Sequence, residues 1–209
     1  MRKAILIAVI CCIMLKIQAQ MIVEKTLDFK QKKLVVLDLQ ITDSINIQTW
    51  NKNEVYAYAS IDINQNKDNE AYQTSFKELD DRIEIMAKFN SDYFKNRDCD
   101  SGSEIVWKIM IPENIELSVK TINGNITIKG KTTAVKAHTI SGFVDLEIPT
   151  DKKADLNLKT ISGNIYTDLD LSANVTKRIA ELMISEKING GGVLINLESI
   201  SGDIFLRKN

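Results

Sequence analysis

The chain has 209 residues, 27 Lys+Arg against 28 Asp+Glu, 44% hydrophobic residues and 2 Pro. That balance excludes wholesale disorder, and a formal charge of −1 offers no electrostatic footprint for nucleic acid. One histidine, His138, excludes a His-rich metal centre and argues against a Ser-His-Asp triad.

Residues 1–19 read as a secretory signal peptide. Arg2 and Lys3 start it, the run 4–15 is apolar without interruption, and Ala19 is a small residue placed for cleavage. An apolar run of that length falls short of the roughly 20 residues a membrane span needs. The expectation is export to the periplasm, the cell surface or the medium, with no transmembrane span once the leader is removed. Bulky Val9 and Ile10 before Cys11 argue against a lipoprotein start at Cys11 or Cys12. Losing the leader removes three basic residues and no acids, leaving 24 basic against 28 acidic residues, a net charge of −4. It also leaves Cys99 alone, so no intramolecular disulfide can form.

Residues 33–63 then alternate with a period of two. Val35, Leu37, Leu39 and Ile41 are followed by Ile45 and Ile47, and after the 50–53 turn by Val55, Ala57, Ala59, Ile61 and Ile63. Alternation puts one face of a strand inward. Residues 82–88 and 104–111 add two strands, the second closed by Pro112, which cannot donate to a ladder. Segments 64–69 and 90–103 are polar excursions.

The second half is repetitive. Segments 117–128, 135–146, 156–167 and 195–206 (LSVKTINGNITI, VKAHTISGFVDL, LNLKTISGNIYT, INLESISGDIFL) align without gaps on Gly124, Gly142, Gly163 and Gly202. Apolar residues recur seven, five and two positions before each of these glycines and two and four after it, with Thr167 the one departure. Alternation that slips at a glycine and resumes describes strand, corner, strand. Glycine intervals of 18, 21 and 39 residues suit coils of about 20 residues in an all-β solenoid. Its inward ladder is expected to include Ile122, Ile140, Ile161 and Ile200. Segment 171–187 fits either a degenerate half-coil, with Met183, Ser185 and Ile188 on the repeat template, or a short helix around Ile179, Leu182 and Met183. No Pro/Ser-rich linker interrupts residues 20–209, so one continuous β domain is expected, less regular over 20–112 and repetitive over 113–209.

The ordered set TINGNITI, TISGFVDL, TISGNIYT and the ending INGGGVLINLESISGDIFLRKN resembles the bacterial putative-adhesin family of β-solenoid domains, a family of unknown function. INIQTWNKNEVYAYASI is similar to the usual opening of such domains. The resemblance implies a signal-bearing envelope protein built as a β-roll and adhesive in function. It brings no catalytic residues.

Ser141, Ser162 and Ser201 lack the flanks of a nucleophile elbow, and 189–192 lacks the Lys-Ser/Thr of a P-loop. Asp98 and Asp100 begin an EF-hand-like pattern that goes no further. No catalytic, cofactor or metal set is therefore expected. The surface candidates are Asp145, Glu147, Asp168 and Asp170, carboxylates on the outer sides of two consecutive coils, and Tyr166 and Phe205, which share the position three past the glycine. Stacked carboxylates serve Ca²⁺ binding or the acid and base of a glycosidase, and mixed signs along the same row (Lys129, Glu147, Asp168, Arg207) describe a solvated face instead. Outward aromatics stack on sugars or partners, or lie covered by 171–187. The reading is a non-catalytic exported binding or structural module for an envelope protein or glycan. The alternative is a polysaccharide-acting enzyme using the four carboxylates. The final strand, 204–206, runs straight into Arg207-Lys208-Asn209 and is expected to be an open edge, protected from self-association by its basic residues in the first reading and accepting a strand from a partner or second copy in the sharper one.

Overall fold

The computed structural model describes residues 20–95, 102–171, 175–178 and 181–209, with side chains omitted at 175–178 and 181. Residues 1–19, Cys99, Asp98, Asp100 and Ile179 lie outside the described residues. The protein is all-β. Six coils, each one strand on a first face, a corner, and one strand on a second face, stack in parallel.

The coils are β2 (Leu34–Leu39) with β3 (Ile41–Trp50), β6 (Arg82–Phe89) with β7 (Ser103–Pro112), the long bent β8 (Glu116–Lys129), β9 (Val135–Ser141) with β10 (Val144–Ile148), β11 (Ala154–Ser162) with β12 (Ile165–Thr167), and β15 (Val193–Ser201) with β16 (Ile204–Lys208). Antiparallel strands flank the stack. At one end, β4 (Glu54–Ile63) covers β7, β1 (Met21–Asp28) covers β4, and β5 (Tyr72–Glu78) covers β6. At the other, β14 (Glu181–Ile188) covers β11 and carries β13 (Val175–Arg178).

Stacking order differs from chain order at both ends. The β6–β7 coil lies outside the β2–β3 coil, which pairs directly with β8. The C-terminal coil slots between its two predecessors: β15 pairs with both β9 and β11, and β16 with both β10 and β12. The expected open edge at 204–206 is therefore wrong. β16 is an interior strand with both ladders filled, because the end of the stack is taken by β11–β12 and β14.

The core is a set of aliphatic ladders. Val35, Leu117, Val135, Ile195 and Leu156 form one row, and Leu37, Val119, Ala137, Leu197 and Leu158 the next, all buried. Trp107 fills the space under β7, fully buried, its indole N–H donating to Tyr72 Oη at 3.3 Å.

The corner overturns one expectation. Ile122, Ile140 and Ile161 are 42, 40 and 45% exposed, and Ile200 is half-buried. Alternation does not slip before the isoleucine but continues one step further, to Thr121, Thr139, Ser199 and Thr160, which are buried. A bend turns carbonyls away from the ladder, and a buried carbonyl needs a donor. Each hydroxyl supplies one to the preceding coil: Thr121 to Gln40 O at 3.2 Å, Thr139 to Gly124 O at 3.1 Å, Ser199 to Gly142 O at 2.9 Å, Thr160 to Gly202 O at 2.8 Å. Isoleucine has no donor, so it goes outside. The same logic buries Thr42, which donates to Ile105 O at 2.7 Å, and leaves neighbouring Ile41 half-buried.

The glycines sit in the same column. A Cβ on Gly142 would lie 2.2 Å from Gly124 O, and one on Gly202 2.1 Å from Gly142 O. Both have positive φ, +137° and +155°, so the corner demands glycine for conformation and for close approach. Segment 171–187 is strand over its residues 175–178 and 181–187, neither half-coil nor helix there, and Ile179 lies outside the described residues. β14 runs antiparallel to β11, which puts Ile184 and Ile188 inward and Met183 and Ser185 outward, the reverse of the repeat template for Met183 and Ser185.

Candidate functional site

The second face carries the sequence-derived candidates. Its neighbouring strands β8, β10, β16 and β12 present, three residues past the corner glycine, Thr127, Asp145, Phe205 and Tyr166 in register. Two residues on come Lys129, Glu147, Arg207 and Asp168. Side chains at these positions point away from the core because Ile126, Val144 and Ile204 and then Ile128, Leu146 and Leu206 between them are fully buried.

Tyr166 and Phe205 do come together. Insertion of β16 beside β12 makes them direct cross-strand partners, and their rings stack with centroids 5.2 Å apart and 12° between planes. Phe143, one residue past its glycine, meets Phe205 edge-on at 5.9 Å, and the Arg207 guanidinium lies 5.1 Å from the Phe205 ring centre. Tyr166 is 49% exposed. Among the described residues β12 pairs with β16 alone, so no described strand lies beside the ring face turned away from Phe205.

The carboxylates do not form the expected cluster. β16 separates β10, which carries Asp145 and Glu147, from β12, which leads into Asp168 and Asp170, so the two pairs do not lie side by side. Most are already engaged. Asp145 Oδ2 is 3.0 Å from Arg207 Nη2, Glu147 Oε1 is 2.9 Å from Lys129 Nζ, and Asp168 Oδ1 accepts the Lys208 N–H at 2.8 Å. Burial pushes the Asp145 carboxyl up and Arg207 partly offsets it, while Glu147 holds the Lys129 ammonium up. Asp170 is exposed. A glycosidase needs an acid and an unengaged base facing one substrate bond. Here the best-desolvated carboxylate pairs with an arginine, and two of the others are held by a lysine and a backbone amide. Among the described residues no group of three or more His, Cys, Asp or Glu side chains could hold a metal ion, and no helix is long and apolar enough to cross a membrane.

Sequence reasoning missed Phe143, Lys129 as a partner of Glu147, and Arg207 as a partner of both Asp145 and Phe205. Phe143 beside Phe205 and Arg207 beside Asp145 follow from stacking order, whereas Lys129 and Glu147 meet on coils consecutive in the chain. With β16 placed beyond β12, Phe205 would miss Phe143 and Arg207 would miss Asp145.

Comparison with known proteins is consistent with this architecture. The family profile described as Toastrack DUF4097 matches residues 26–207. A search of curated proteins finds no match. Among solved structures, a putative cell adhesion protein from Clostridium sporogenes ATCC 15579 superposes with a TM-score of 0.59 at 12% identity, covering 91% of this chain and all of that one. A putative adhesin from Bacteroides fragilis NCTC 9343 gives 0.34 at 8% identity, covering 92% of this chain and 99% of the other. The likeness to the Clostridium sporogenes protein concerns the fold alone.

Proposed function

The chain belongs to the Toastrack family, and on that premise we propose that it is a non-catalytic, exported binding module of the cell envelope whose contact site is the aromatic step Tyr166–Phe205. The observation that carries this reading is the stacked pair itself. A half-exposed tyrosine ring is fixed upright by a second ring at 5.2 Å, at the rim of a face whose remaining groups are ion pairs. Sugar rings present apolar C–H faces that pack on aromatic surfaces, and their hydroxyls bond to charged neighbours. Arg207 supplies such a neighbour one strand from the tyrosine ring, and Asp145 and Glu147 lie one strand further. The ligand class is a neutral or amino-sugar glycan chain. Export rests on the leader in residues 1–19, and mass spectrometry of secreted or periplasmic chain should find Gln20 at its N-terminus. The non-catalytic reading rests on the engagement of Asp145, Glu147 and Asp168.

Calorimetric titration with β-linked hexose and N-acetylhexosamine oligosaccharides tests the site. At least one should bind, and Tyr166→Ala should weaken it by tenfold or more, while Asp170→Asn, on the exposed segment beyond β12, leaves it within twofold. Binding unaffected by Tyr166→Ala would remove the aromatic step from the site. Cleavage of any oligosaccharide that disappears in Glu147→Gln would overturn the non-catalytic reading.

A further inference from the structure

The first face carries a charge order that is complementary to its own reverse. Across it, β6, β2, β8, β9, β15, β11 and β14 lie side by side. The central outward row, read along the stack, is Asp38, Lys120, His138, Glu198 and Lys159, each in register with the next. In signs this reads minus, plus, histidine, minus, plus. Reversed, it reads plus, minus, histidine, plus, minus. Every charge is inverted by reversal, about a centre at His138. Apolar side chains extend the symmetry: Met86 on β6 lies beyond Asp38, and Met183 on β14 lies beyond Lys159.

Beside this row runs the exposed isoleucine ridge at the corner, Ile122, Ile140, Ile200 and Ile161 in stacking order. Water around three isoleucines that each leave 40% or more of their surface open is a standing driving force for burial.

We propose that this face is the interface of a two-fold symmetric dimer of the chain, with the axis in the interface plane, parallel to the strands and passing by His138 and Ile140. Such an axis reverses stacking order while keeping each outward row opposite itself. Asp38 then faces Lys159 of the second copy, Lys120 faces Glu198, and both contacts occur twice. The intrachain pairs Lys120–Asp38 at 3.1 Å and Lys159–Glu198 at 3.9 Å become sides of alternating-charge quartets. On the ridge Ile122 faces Ile200, Ile140 faces itself, and Ile161 covers Gln40. Met183 faces the Met86 end, where a shallow hollow of about 270 Å³ lies between β5, β6 and β2.

The other in-plane axis, along the stack, would set Asp38 on Asp38, Lys120 on Lys120 and Glu198 on Glu198. Like-charge juxtaposition of that kind suppresses wrong arrangements, so the charge order selects one dimer. Two contacts are unfavourable: Lys136 meets its own copy, exposed and with a long stem that can turn its ammonium to solvent, and at the margin Arg82, already paired with Glu84, meets Lys187. Seven strands spaced about 4.8 Å apart and about seven residues long give a face of roughly 34 by 23 Å, close to the ~800 Å² per partner of a standard interface.

The test is sedimentation equilibrium with light scattering on residues 20–209, which carry the whole described body, from about 1 to 100 µM. The wild type should dimerise, and K120E and E198K should each dissociate at least tenfold more readily, because each sets four like charges in two facing pairs. Mixed one to one, the two variants should form a heterodimer, since Glu at 120 then faces Lys at 198 and the reverse. I140D should be monomeric with an unchanged circular dichroism spectrum. A wild type that stays monomeric at 100 µM would overturn the proposal. So would a dimer that survives K120E and I140D, or variants that do not associate on mixing.

Discussion

Gly142→Ala isolates the contact on which the parallel stack depends. The new Cβ would sit 2.2 Å from Gly124 O and 2.7 Å from Gly124 C, both backbone atoms of the neighbouring coil, at a φ of +137°. Alanine in a region reserved for glycine costs about 1–3 kcal/mol, and relieving an overlap with backbone costs about the same again. The neighbour cannot retreat freely, because Gly124 O also accepts the Thr139 hydroxyl at 3.1 Å. A loss of about 2–6 kcal/mol lowers the melting temperature of a body of this size by roughly 5–20 °C. Gly190→Ala is the control. Its φ is +90°, yet nothing lies within 4 Å of the new Cβ, so it should cost only about 1–2 kcal/mol of conformational strain. Thermal melts followed by circular dichroism compare them directly. Equal shifts for the two variants, within 2 °C, would mean that the corners do not touch and that the coil spacing is wrong.

Thr139→Val is nearly isosteric but removes the donor to Gly124 O, and should cost about 1–3 kcal/mol; Thr139→Ser, which copies Ser199, should cost less in the same melts. Ile161→Asp should lose no more than about 1–2 kcal/mol because nearly half the side chain is already in water, whereas Leu158→Asp, fully buried, should lose about 3–5 kcal/mol or fail to fold; the opposite ranking in urea titrations would return the isoleucine to the core. Asp145 has its folded-state pKa raised above 3.8, chiefly by burial, so its contribution to stability is greatest below that pH and is lost as pH rises through the folded value. Asp145→Asn should therefore gain melting temperature relative to wild type between pH 3 and pH 7, and a flat or falling difference would contradict the sign.

The all-β class, the strand-corner-strand unit and most of its inward rows were legible from residues alone. Alternation at seven and five before the glycine, and at two and four after, is a direct consequence of side chains pointing to opposite sides of a strand. So was the outward placement of Tyr166 and Phe205. Two features were not legible. Whether threonine or isoleucine enters the core at the corner looks settled by hydrophobicity, which favours isoleucine. The bend decides otherwise, because at each corner a backbone carbonyl of the neighbouring coil accepts a hydrogen bond that a hydroxyl can donate and isoleucine cannot. The threonine or serine three before every glycine was the available signal, and it reads as polar and therefore exposed until the corner's hydrogen bonds are counted.

Stacking order was beyond the sequence altogether. Four near-identical units fit above or below one another equally well when judged by their apolar rows, since those rows repeat in each. Chain connectivity leaves the choice open, because the segment from 168 to 192 is long enough to carry the last coil back past its predecessor. Only the closed structure places β15–β16 between β9–β10 and β11–β12, with β14 antiparallel on the far side of β11. That placement brings Phe143 to Phe205, pairs Arg207 with Asp145, and orders the charges on the first face. Local alternation fixes which way each side chain points; which coil it meets is decided by the packing of whole coils against one another.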